Sequence, residues 1–189
     1  MPEAIQIARP TPYASSGDFR RIFYEETDSL YRLSFLLTAE RVKAEQCLVS
    51  GLDDSLKGSR VFKEWARSWA RRAIIQNAVR VINPRPMEEN ASPSFNRSGK
   101  KTPVTEQAEI AAILDLAPFE RFVFVMLVLE HYSEHECSVL LGCPRRDVIA
   151  ARNRALQQIG GAMEFQIKQQ VNVGSWKPLD GYVNAEIRP

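Results

Sequence analysis

The sequence has no uninterrupted apolar run of the ~18 residues a transmembrane helix needs, so no membrane span is expected. It opens without a basic start followed by an apolar stretch, so no secretory signal is expected and the chain reads as cytoplasmic. Three cysteines, an odd and small number, do not suggest a disulfide framework. Hydrophobic residues make up 44% and charged residues 25% of the chain, near the globular average, which excludes a wholly disordered protein, a collagen and a coiled-coil rod. No β-hairpin signal, internal repeat or low-complexity tract stands out. At about 150 residues per domain, 189 residues make one domain or two small ones.

Helical periodicity dominates. Residues 1–17, with Pro2, Pro10, Pro12 and Gly17, read as a flexible leader. A first helix follows, with Asp18 as N-cap and Phe19, Ile22, Phe23, Leu30, Leu33 and Leu37 on one face. A second runs from about Glu40 to Ser55, with Val42, Leu48, Val49, Leu52 and Leu56 as its apolar positions. A third carries Phe62, Trp65, Ala66, Trp69, Ala70, Ala73, Ile74, Ala78 and Val81, and ends at Asn83-Pro84. Residues 84–104, rich in proline, serine and asparagine, read as a linker. Helices resume near Thr105 and at Ala117-Pro118, and the apolar run from Phe119 to Leu129 should be central. Ser133 and Glu136 form a capping box for a short helix to Leu141. A last helix runs from Arg145 and stops at Gly160-Gly161; residues 171–189 show no helical period. The fold class is therefore all-α: two small helical domains, 18–83 and 105–165, a linker at 84–104 and a tail at 166–189.

The short helix, the turn Gly142-Cys143-Pro144 and the basic helix after it have helix-turn-helix spacing, with Gly142 supplying a positive φ. At 100° per residue, Val148, Ile149, Ala155, Leu156 and Ile159 gather on one side of the last helix and Arg146, Ala150, Asn153, Arg154 and Gln157 on the other. The second set, with Arg145 at the helix start, suits a major groove, where arginine reads guanine edges and asparagine adenine edges. The alternative is a helical hairpin with a solvated basic face, and spacing alone leaves both open. Between Lys57 and Arg85 eight basic residues stand against the single acid Glu64, a local charge of +7 in a chain whose total is +2. Arg60, Lys63, Arg67, Arg71 and Arg72, interleaved with Trp65 and Trp69, suit single-stranded nucleic acid. Trp69 is expected to be a core residue instead, and Trp65 is open between the two roles.

These residues together resemble the extracytoplasmic-function sigma factors of bacterial RNA polymerase. The resemblance spans roughly 18–83 and 105–160. It rests on Leu36-Leu37-Thr38 with Ala44-Glu45, on Trp65 through Arg80, on Leu116-Ala117-Pro118 with Arg121 and Phe124, and on Ser133, Glu136, Leu141, Gly142, Val148, Arg154 and Ala155 in order. It implies an alternative sigma factor that binds core RNA polymerase through the first domain and directs promoter recognition and transcription initiation. Arg60, Lys63, Trp65, Arg67, Arg71 and Arg72 would hold the melted −10 strand. Arg145, Arg146, Asn153, Arg154 and Gln157 would read the −35 duplex. The matching positions for the polymerase clamp are Glu45, Gln46, Val49 and Ser50. Where the family usually carries an aspartate and then a Gln-Glu pair, this chain has Gln46, Val49 and Ser50. That departure motivates the alternative: a sigma-like DNA-binding regulator or protein-interaction module that has lost core polymerase binding. An inhibitory anti-sigma partner is common in the family, and no residue here identifies one.

His131, His135, Cys137 and Cys143 lie close in sequence and have metal-ligand chemistry, but the capping box between the histidines breaks their helical register. Cys47 reads as a small core residue. Glu25, Glu26 and Asp28 lack a nearby histidine or nucleophile and read as an exposed helix face. No catalytic residue, metal, cofactor or small-molecule substrate is therefore expected.

Overall fold

The computed structural model describes residues 11–58, 60–86 and 105–173. The fold is all-α. Helices α1 (Ser16–Glu25), α2 (Thr27–Thr38), α3 (Arg41–Lys57) and α4 (Ala66–Ile82) pack as one group. Helices α5 (Thr105–Leu114), α6 (Pro118–Phe124), α7 (Glu134–Leu141) and α8 (Arg145–Val173) form a second, with a π-helical turn, Val125–Leu129, continuing α6. The linker reading falls mostly outside the described residues, as do residues 1–10 of the leader and the tail beyond 173.

The N-cap of α1 is Ser15, not Asp18. Asp18 sits three residues on, and its carboxylate accepts from the Ser15 N–H at 2.9 Å while the Ser15 hydroxyl accepts from the Asp18 N–H at 3.2 Å. The end of the leader is tied down: Lys63 N–H donates to Pro12 O at 3.0 Å, Ala14 N–H donates to Val61 O at 2.7 Å, and the Tyr13 ring lies 4.9 Å from that of Phe62. The expected first helix is two helices. They part at Glu26, beside which the Thr27 hydroxyl donates back to the carbonyls of Phe23 and Tyr24.

In α3 the buried stripe is Ala44, Cys47, Gly51 and Ser55 rather than the large aliphatics, and Val42 and Val49 point outward, 70% and 67% exposed. Small residues let α3 approach α4 closely: a Cβ on Gly51 would stand 2.6 Å from Ile74 Cδ1. Helix α4 answers with Ala66, Ala70, Ala73, Ile74 and Ala78. An interface built on alanine leaves no room for an indole, so Trp69, expected in the core, lies outside at 37% exposure. Asn83 ends α4 in the left-handed region, ahead of Pro84.

Phe119, Phe122, Val123, Val125 and Met126 fill the second group's core, as the apolar run predicts. They meet Cys137, Leu141, Val148, Ala151, Ala155 and Ile159. The Ser133–Glu136 capping box is present, and Gly142 stops α7 at φ 63° with open space around its Cβ position. Helix α8 does not stop at Gly160-Gly161 but continues to Val173. Glycine costs a helix interior about 1 kcal/mol against alanine without breaking it. The buried stripe of α8 is also rotated from the expected one: Ala151 is inside, while Leu156 is 47% exposed.

The two groups share one apolar cluster, with α2 against α5 and α6 and α4 against α7. Buried Arg121 reaches across this seam. Its Nε donates to Leu37 O at 3.2 Å, and its Nη1 donates to Leu116 O at 3.0 Å.

Hydrogen bonds from the Ser133 backbone and then its hydroxyl hold the Glu136 carboxyl below its usual range. A depressed folded value means the cap stabilises above the ordinary carboxylate pKa and is lost as pH falls through the folded one. Urea unfolding followed from pH 6 to pH 3 should therefore show a smaller loss of midpoint in Glu136→Gln than in the wild type.

Candidate nucleic-acid interface

The basic helix opens with a 3-10 turn, Lys63–Trp65. Trp65 is 59% exposed and meets Phe62 edge-on at 5.3 Å. The Arg60 guanidinium lies over the Tyr13 ring, 5.7 Å from its centre. Lys63 is exposed. The two tryptophans thus present ring surface to solvent along one flank of α4.

The arginines of this flank are already engaged. Arg67 bonds the carboxylate of Glu26 and lies 3.4 Å from that of Glu25. Arg71 meets Glu130, at the end of the π-helical turn, at 3.1 Å, and its other terminal nitrogen donates to Ser29 Oγ at 2.8 Å. Arg72 is half-buried beside Tyr132 and Glu136. A groove of about 310 Å³ runs between Trp65, Trp69 and Arg72 on one side and His131, Tyr132 and Glu136 on the other. Burial within this seam raises the Tyr132 phenol.

On α8, Arg146, Ala150, Asn153 and Gln157 face outward. Arg146 forms an ion pair only with its neighbour Asp147, at 3.5 Å, among the described residues. Arg145 and Arg152 both bond Glu134 of α7, at 2.9 Å each, which gives Arg152 the partner that its place beside the apolar stripe requires. Arg154 is exposed, as expected, and also reaches back to the protein: its Nε and Nη2 lie 2.9 and 2.8 Å from Glu120 Oε1. Glu120 is 2% exposed, and its Oε2 has no hydrogen-bond partner among the described residues. On α3, Glu45, Gln46 and Val49 are exposed and Ser50 is half-buried.

Periodicity and local charge did not reveal Glu26, Glu120 or Glu130 as the partners of these arginines. The pairs join residues 34 to 59 positions apart, and no local pattern carries such pairing. The three cysteines are free thiols, Cys47 and Cys137 buried and Cys143 half-buried. Burial pushes the Cys137 thiol up to about 12 and the Cys47 thiol up to about 11, and it raises that of Cys143. Protonated thiols are poor metal ligands and poor nucleophiles. Among the described residues no three histidine, cysteine or acidic side chains stand together as a metal site. No helix among them is long and apolar enough to cross a membrane.

Removing the cation beside a buried carboxylate is costly, because the remaining charge is desolvated without a partner. Arg154→Ala should therefore lower unfolding stability by about 2 kcal/mol, and adding Glu120→Gln should recover part of the loss. Additive losses in the double variant, read from urea midpoints, would contradict the pairing.

The chain matches no family model, and no curated protein matches it. Among solved structures it is similar to the sigma factor RpoE in complex with the anti-sigma factor NepR from Bartonella quintana. The identity is 16%, the match covers 78% of this chain and 97% of that one, and the TM-score is 0.47.

Proposed function

We propose that the protein is an alternative sigma factor, which binds core RNA polymerase through α3, the −10 strand through the tryptophan flank of α4 and the −35 duplex through α8. The observation that carries this reading is the α7–Gly142–α8 unit. A capped short helix and a left-handed glycine turn lead into a helix whose apolar stripe is buried and whose Arg146, Asn153 and Gln157 face solvent. A side chain that can contact base edges must be outward on the second helix, and these three are. The exposed tryptophans of α4 support the single-strand part, since unpaired bases stack on accessible rings. The exposed Glu45, Gln46 and Val49 give α3 a free face for the polymerase. The second reading, a sigma-like regulator without polymerase binding, is favoured by one feature: the outward side of α3 carries Val42 and Val49.

A binding titration against core RNA polymerase separates the two. The first reading predicts submicromolar affinity that Val49→Lys weakens at least about tenfold, the effect of losing about 1.4 kcal/mol, and that Arg146→Ala leaves unchanged. A folded, helical protein that does not bind the polymerase would sink the first reading and leave the second.

A further inference from the structure

We propose that the groove between α4 and the segment after the π-helical turn binds a small planar aromatic carboxylate, its ring against the indoles of Trp65 and Trp69 and its carboxylate on Arg72. The inference goes beyond promoter recognition and does not draw on it, because the ligand is one small molecule and not a strand.

The charges of the lining select the carboxylate. Two arginines and two glutamates line the groove. Arg71 and Glu130 neutralise each other at 3.1 Å, and the Ser29 hydroxyl takes the other terminal nitrogen of Arg71. Glu136 turns its Oε2 to the backbone N–H and the hydroxyl of Ser133, at 2.9 and 2.7 Å. Arg72 is left. It is half-buried, and among the described residues it forms no hydrogen bond and no ion pair. A guanidinium partly withdrawn from water keeps its unused donors in a fixed fork, and a carboxylate fills that fork with two parallel bonds. A dianionic phosphate would bring its second charge near Glu130 and Glu136, and the repulsion is weakly screened in a groove. A cation would meet two arginines. A monoanion matches the single uncommitted guanidinium.

The rings select the body of the ligand. Trp65 and Trp69 are 59% and 37% exposed, one helical turn apart, and Tyr132 stands across the groove from them. Among the described residues none of these three rings stacks on another; Trp65 meets only Phe62, edge-on. Indole surface left in water gains from a flat ring laid against it. The opposite wall is held in place: Tyr132 N–H donates to Met126 O at 2.9 Å, and the capping box fixes Glu136. The groove volume of about 310 Å³ stands at the small end of ligand sites, roughly 300–1,000 Å³, and suits one or two fused rings.

Calorimetric titration of the full chain with 2-naphthoate and with its uncharged amide, 2-naphthamide, tests the site. Naphthoate should bind at least about tenfold more tightly than the amide, the effect of one charge-assisted pair. Arg72→Gln should erase that preference. Trp69→Ala, at an exposed position, should weaken naphthoate about fivefold through lost stacking. Arg72→Lys serves if the glutamine variant loses helical signal, and it should reduce the preference because the fork is gone. Equal affinity for acid and amide overturns the proposal, as does a preference that survives Arg72→Gln in the folded variant. No binding of naphthoate at about 5 mM, where a millimolar site is mostly filled, overturns it too. Thymidine monophosphate binding more tightly than naphthoate would give the groove to nucleotides and overturn the carboxylate assignment.

Discussion

The guanidinium of Arg121 sits in the seam between the helix groups with no carboxylate within ion-pair distance among the described residues. It is satisfied by main-chain carbonyls: Leu37 O near the end of α2, Leu114 O at the end of α5 and Leu116 O in the turn after it. Burial disfavours its charge, and the partial negative charge of helix C-termini offsets part of that cost. One side chain thereby fixes α6 to both groups. With α6 placed, the π-helical turn that follows it sets Glu130 over Arg71, and α7 comes to rest against α4. Helix α8 then packs on α6 and α7, anchored by Arg154 on Glu120 and by Arg145 and Arg152 on Glu134.

This arrangement gives the arginines of the chain two distinct fates. Arg121, Arg152 and Arg154 satisfy buried or half-buried acceptors, and their first role is to hold helices in register. Arg146, like the neutral Asn153 and Gln157, looks outward and is available to a partner at no structural cost. Arg71 joins the two groups, pairing with Glu130 of the second and donating to Ser29 of the first. A local charge of +7 read from sequence overstates the field α4 presents, because Glu25, Glu26, Asp54 and Glu130 return to it from other elements.

Much of the fold was legible in the sequence because it rests on local chemistry. The Ser133–Glu136 box, the left-handed Gly142, Pro118 at a helix start and the apolar run of α6 each declare themselves within a few residues. The failures share a cause. The buried face of α3 is made of alanine, cysteine, glycine and serine, and that of α4 sets alanines around Ile74 and Ile75, so ranking residues by size picked Val42, Val49 and Trp69 for a core they do not enter. In α8 the reading stopped at two glycines that a helix tolerates, and it rotated the apolar stripe away from Ala151. For the site, the residue types and their helices were readable, but the carboxylates that engage those residues were not, since each arrives from a distant part of the chain.

The two helix groups are held together by Arg121 through main-chain carbonyls of both. The most direct test is the distance between spin labels placed on exposed Ser68 of α4 and exposed Val139 of α7, compared between the wild type and Arg121→Met. The expected result is a longer and broader distance in Arg121→Met with helical content kept. An unchanged distance in the folded variant would contradict the role given to Arg121.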